Sequence, residues 1–238
     1  MIPASNSPRP RIEQLLSDIS RLKGKVQGLD HDYQDCSSTS QSTERDLQSA
    51  AWPLRRAEGD TGQIDSSFDG RQATQYINSS QRELERNGRD LNNADVDSRS
   101  ATGDFDKARR DLSAIINDSN GYPSSQNNLR QASTNLDSSA REHSQADSES
   151  DWARNKTDQA LNQLRWAEMS ARNVSYDRPG QDVSRDARQA SNQVDQAQWQ
   201  TRDSSGNLRN AYNDEQRSEN GLTSVEQQLR QALTNLPA

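Results

Sequence analysis

Apolar residues recur along this chain at alternating steps of three and four. The first run is Ile12, Leu15, Ile19, Leu22, Val26, Leu29, Tyr33 and Cys36, and its phase continues through Ser40, Thr43, Leu47, Ala50, Leu54 and Ala57. That alternation is the a/d seam of a heptad repeat, the stripe through which long helices pack. A second run extends from Ala73 through Ile77, Leu84, Leu91 and Phe105 to Ile115. A third extends from Leu129 through Leu136, His143, Ala153 and Leu164 to Val174. A fourth extends from Val183 through Val194, Leu208, Glu215 and Leu222 to Leu236. None of the four needs an insertion to keep phase.

The runs are separated where turn chemistry accumulates. "EGDTGQIDSSFDG", "NDSNGYPSS" and "SYDRPGQD" carry the Gly and Pro that end helices and the Asp and Ser that cap the next one. The expected helices cover about 9–58, 70–117, 125–174 and 182–236, about 45–50 residues each. Short connections make successive helices antiparallel. The pattern therefore predicts an all-α fold, a single elongated up-down four-helix bundle with coiled-coil-like packing, occupying 1–238 as one domain.

Antiparallel pairing about those connections generates layers. Leu15, Ile115, Leu129 and Leu229 are expected at one end, followed by Leu22, Ala108, Leu136 and Leu222. Phe105 and Val26 fall with the small Ser139 and Ser218, the volume compensation that close packing requires. Thr43, Asn87, Thr157 and Thr201 form a polar core layer. Ala57, Ala73, Ala171 and Ala187 are expected to share the far end. The same register explains why "LRQASTNL" at 129–136 reappears as "LRQALTNL" at 229–236: the two octapeptides furnish one layer from helices running in opposite directions. "RQA" also recurs at 71, 130 and 188, a spacing of about 58 residues that marks a repeated helical unit.

Composition sharpens the picture. Only 28% of the 238 residues are hydrophobic and 5% aromatic, and mean hydropathy is −1.23. Such values suit disorder unless the apolar residues are placed periodically, as they are. The net charge of −7 and the lack of a basic stripe exclude a nucleic-acid partner. No apolar run is long enough for a membrane span, and "MIPASNSPRP" lacks the apolar core of a secretory signal. These features leave the compartment open. Cys36 is the single cysteine, so no internal disulfide forms.

Candidate chemistry is sparse. His31 faces outward in "LDHDY". His143 lies on the seam, level with Glu215 and beside Ala101 and Leu29. A core Glu is costly unless paired, so a buried polar pair is expected, with the pKa of His143 raised and that of Glu215 lowered. Metal sites in bundles use several inward carboxylates and Glu-x-x-His repeats, which are absent here. Cys36, also on the seam, lacks a neighbouring base. No nucleophile elbow, phosphate-cradling loop or Cys-x-x-Cys occurs. No catalytic residue, metal or cofactor is therefore expected.

Trp52, Trp152, Trp166 and Trp199 all miss the seam, and Trp152 and Trp166 repeat on one outer strip two heptads apart. Two roles fit them: flank packing, aided at Trp52 by a bend at Pro53, or a contact surface for a partner. Gly24, Gly28, Gly88, Gly103, Gly206 and Gly221 lie inside expected helices, each costing about 1 kcal/mol against Ala, and outward glycines would let another helix approach closely. The chain reads as a non-enzymatic structural or interaction protein, a rigid helical rod acting as spacer, scaffold or self-assembling subunit. The alternative is a helical surface binding module or adhesin whose tryptophans contact protein or glycan. An enzyme or metal carrier built on His143 and Glu215 is the third reading.

Overall fold

The computed structural model describes residues 8–59, 63–176 and 182–236. It is an all-α four-helix bundle, with α1 Arg9–Gly59, α2 Gln63–Asp118, α3 Pro123–Tyr176 and α4 Val183–Thr234. The helix ends have identifiable causes. Pro8 caps α1, its carbonyl accepting from the Ile12 amide. Ser119 closes α2 by donating to the Ile115 carbonyl. Pro123 opens α3 at the position where a missing N–H costs least. Asp182 caps α4, its carboxylate accepting the Arg185 amide at 3.0 Å.

The chain divides into two compact units, each built from a segment of all four helices. One comprises Met1–Asp32, Ala94–Ser148 and Asn210–Ala238; the other comprises Tyr33–Asn93 and Glu149–Arg209. In the first unit, Arg11 meets Asp118 and Lys25 meets Asp104. Ser125 bonds to the Ala232 carbonyl, and His143 bonds to Glu215. In the second unit, Thr43 meets Glu83, Arg56 meets Asp69, Gln81 meets Glu168 and Thr157 meets Ser204. Ser67, which donates to the Ser175 carbonyl, gives α2 and α3 a second contact. Between neighbouring helices one number rises as the other falls, so they are antiparallel. Arg55 on Asp195 and Ser37 on Ser205 join α1 to α4 and close the ring of four.

The heptad seam is the core. Every seam position from Ile12 to Ala57, Ala73 to Ile115, Leu129 to Val174 and Ala187 to Leu236 is buried. Only Val183, at the start of α4, is half-buried. Many seam residues are Ser or Thr. Some of their hydroxyls donate to the carbonyl four residues back, as Thr157 does to Ala153 and Thr201 to Ala197; Ser98 and Ser204 bond across helices, and those of Ser80 and Ser218 have no partner among the described residues.

Two local features depart from the heptad reading. First, α2 begins at Gln63 rather than about 70, so part of the expected connection is helix. Ser66, Asp69 and Gly70 carry the buried face two turns further. Gly70 is there for space: a Cβ would lie 2.7 Å from the Ser175 backbone nitrogen and 2.9 Å from a Val174 methyl. A glycine that reads as a helix stop is a point of close packing. Second, the alanine layer at that end is displaced. Ala57 and Ala187 pack with Val174, whereas Ala73 and Ala171 belong to the larger neighbouring cluster. The extra turns of α2 supply Gly70 where Ala73 was expected. As the seam through Leu54 and Ala57 requires, α1 runs through Pro53 to Gly59. Pro53 is buried, and Trp52 beside it stays outside.

Candidate functional site

The most concentrated chemistry lies within the first unit, around His143 on α3. Its seam position points the imidazole inward, and Glu215 on α4 arrives level with it. The side chains are 1% and 0% exposed, and Nδ1 lies 2.6 Å from Glu215 Oε1. On the other side of the ring, Nε2 lies 3.2 Å from the Ser98 carbonyl and 3.2 Å from Thr102 Oγ1. Both ring nitrogens therefore face acceptors. A neutral imidazole has only one N–H, so the surroundings suit the imidazolium, which has two. Phe105 stacks on the ring at 5.2 Å. Ser98 Oγ in turn donates to Asp147 Oδ1 at 2.7 Å.

Burial is the largest influence on His143 and disfavours its charge. The hydrogen bond and charge of Glu215, with the Ser98 carbonyl and Asp147, outweigh it and raise the pKa. The pKa of Glu215 is also raised, not lowered. Desolvation of the buried carboxyl dominates, and the negative charges of Asp30 and Asp147 add to it against the His143 bond. Glu215 Oε2 has no hydrogen-bond partner among the described residues. Asp30, one position past the seam residue Leu29, is held at a pKa of about 6 by burial and by Glu219. Asp30, Ser98, Thr102 and Asp147 were not singled out from sequence. Ser98 had a seam position as its signal; the other three flank the seam, where polar residues are ordinary.

The remaining sequence-predicted residues sit as follows. Thr43, Asn87, Thr157 and Thr201 are all buried in the second unit. The polar core layer is built from separate bonds: Asn87 donates to Ser40 at 2.9 Å, Thr43 to Glu83 at 3.0 Å, and Thr157 pairs with Ser204 at 3.1 Å. Asn87 Oδ1 has no partner among the described residues. Cys36 is buried and His31 exposed. No group of three or more His, Cys, Asp or Glu side chains that could hold a metal ion occurs among the described residues, and no described helix is long and apolar enough to cross a membrane.

All four tryptophans belong to the second unit. Trp52, Trp152, Trp166 and Trp199 are 60%, 62%, 57% and 58% exposed. Arg56 lies over the Trp52 ring at 4.3 Å and Lys156 over the Trp199 ring at 4.7 Å. Met169 and Tyr176 extend the exposed apolar surface of α3. Neither residue was singled out from sequence, although both lie in the same outward heptad phase as its amides. Compared with models of protein families, with curated proteins and with solved structures, the chain matches none.

Proposed function

We propose that this protein is a non-enzymatic structural or interaction protein, its long helices serving as spacer, scaffold or self-assembling subunit and its outer tryptophans as the contact surface. The observation that carries the reading is the exposure of four tryptophans on a chain whose core is made of leucine, alanine and small hydroxyl residues. Large aromatic rings are favoured at interface centres, and monomeric surfaces seldom present several without a partner. The partner is a protein, this chain or another. A glycan is the second reading, supported by the exposed amides of Asn155, Gln159 and Asn162 between Trp152 and Trp166: such amides hydrogen-bond sugar hydroxyls beside a stacking ring.

The test is Trp152→Ala with Trp166→Ala. Helicity and melting are expected to stay close to the parent, because neither ring fills the core, while self-association or partner capture weakens. A variant that melts much earlier and associates normally would assign the rings to packing and end the reading. Enhanced binding to immobilised glycans, lost in the same variant, would select the adhesin.

A further inference from the structure

The outer strip of α3 in the second unit differs in composition from an ordinary solvated face. Its outward heptad positions run Trp152, Asn155, Gln159, Asn162, Trp166, Met169, Asn173 and Tyr176, all exposed and none charged. Half of the eight exposed large hydrophobic side chains among the described residues lie here. The adjoining row toward α2 is charged at seven-residue intervals: Asp151, Asp158, Arg165, Arg172. All four are exposed, whereas Arg154, Lys156 and Glu168 lie nearer the neighbouring helices and are less exposed. Asp151 and Arg172 are more than half accessible even while bonded to Arg154 and Glu168 of their own helix.

That order is self-complementary. Consider a second α3 laid face to face and antiparallel, with a two-fold axis between Leu161 and Asn162. The axis places residue 151 opposite 172 and residue 158 opposite 165. It also keeps the charged row on one side and the tryptophan row on the other. Each Asp then meets an Arg of the other copy, four pairs in all. The tryptophan row is offset by two residues, because residue 166 falls level with position 157 of the other copy and residue 152 level with position 171. Trp166 of one copy lies between Trp152 and Gln159 of the other, and Trp152 lies between Trp166 and Asn173. The rings interleave instead of colliding. A parallel two-fold pairing would instead carry each charged row opposite the partner's tryptophan row, leaving Asp151, Asp158, Arg165 and Arg172 without charge partners across the contact.

We infer that the outer face of α3 is an isologous interface, through which two copies of this chain associate antiparallel about an axis near Asn162. The inference rests on the contact-surface reading above and names its partner as a second copy. The overlapping segment, 151–172, is about 33 Å long at 1.5 Å per residue. One helix face of that length lies at the small end of specific interfaces, so dimers form and exchange in the micromolar range or weaker. The charge pairs set direction and register, and the rings supply the apolar contact.

The experiment is sedimentation equilibrium over a concentration series on the full chain and three variants. Wild type is expected to show a monomer–dimer equilibrium weakened by salt. Asp158→Arg alone and Arg165→Asp alone each create two like-charge contacts across the axis and should raise the dissociation constant at least tenfold. The double variant exchanges the charges and should restore dimerisation. Asn162→Cys should give a disulfide-linked dimer on oxidation, because its position lies at the axis. Association indifferent to both single reversals, with no Asn162→Cys crosslink, would overturn this interface while leaving self-assembly through another face intact. A wild type that stays monomeric throughout would overturn the homodimer, and the Trp152/Trp166 variant would still report on any other partner.

Discussion

Glu215→Leu removes one member of a pair buried from solvent. His143 keeps its Ser98 carbonyl and Thr102 neighbours but loses the 2.6 Å carboxylate bond and the charge that offsets its burial. Breaking a buried pair from one side costs about 3–5 kcal/mol. For a chain of this size that corresponds to a fall of roughly 6–20 °C in melting temperature. The pH dependence identifies the cause. In the parent the folded pKa of His143 is raised. Its contribution is therefore complete below the unfolded value and fades as pH rises through the folded one. Without Glu215, burial dominates, the folded pKa falls below the unfolded one, and acid destabilises. The penalty should thus be larger at pH 5 than at pH 8.5. His143→Leu strands the acid instead, and its penalty should be larger at pH 8.5, where Glu215 must ionise alone. The double substitution His143→Leu with Glu215→Leu should recover most of the loss, because paired hydrophobic replacement is often neutral or stabilising. Thermal unfolding followed by circular dichroism measures all four proteins. Equal penalties at both pH values, or a double variant as unstable as the sum of the singles, would refute the pair as described.

Asp30→Asn should flatten the pH profile between about pH 4 and 6. The raised carboxyl pKa means that folding favours the protonated form, so the parent loses stability as pH rises through that range; an unaltered profile would show that Asp30 does not contribute. Gly24→Ala, Gly28→Ala, Gly103→Ala and Gly206→Ala should each stabilise by roughly 0.5–1 kcal/mol in chemical denaturation, since an added methyl meets nothing at these helical positions. Gly70→Ala should do the reverse, by about 1–3 kcal/mol, because its methyl meets the α3 backbone at Ser175. Gly221→Ala should cost less than Gly70→Ala, because the atom in its way is the Ser139 hydroxyl, which can rotate, and a loss at Gly221 exceeding that at Gly70 would contradict this ranking.

The seam was legible because heptad phase survives substitution by small polar residues. Ser40, Ser80, Ser98 and Ser218 are buried as the period requires, although nothing in their composition marks them as core. The start of α2 was not legible, because Gly70 serves two opposed purposes in sequence. It resembles a helix stop, and only the proximity of Val174 and Ser175 from a distant part of the chain reveals it as a packing residue. The level of His143 and Glu215 followed from the same period. The direction of the Glu215 shift did not, since it depends first on how far burial outweighs the His143 bond and then on Asp30 and Asp147, two carboxylates from flanking positions whose inward influence no periodicity announces. The outward tryptophans were placed correctly by phase alone. The reason Pro53 neither ends α1 nor draws Trp52 inward is tertiary: Pro53 is itself buried, and the helix beyond it is held by the buried Leu54 and Ala57.

The second unit carries its largest side chains outside its core. Its buried side chains include Ala50, Ala73, Ala160, Ala167, Ala171, Ala190 and Ala197, while its tryptophans are outside. Aromatic rings contribute among the largest hydrophobic gains on burial, so folding leaves that gain unrealised at Trp152 and Trp166. Lys156 and Arg56 partly shield Trp199 and Trp52 by lying over their rings. The α3 pair faces outward between uncharged amides and beside a charge row that complements its own reversal. Asp151 and Arg172 also bond within α3, but the order of two acids before two arginines along one face is what antiparallel pairing with a second copy requires. The proposed association would give both features one cause, burying the rings and pairing the charges in a single step, and it predicts that salt and Trp removal weaken the same equilibrium.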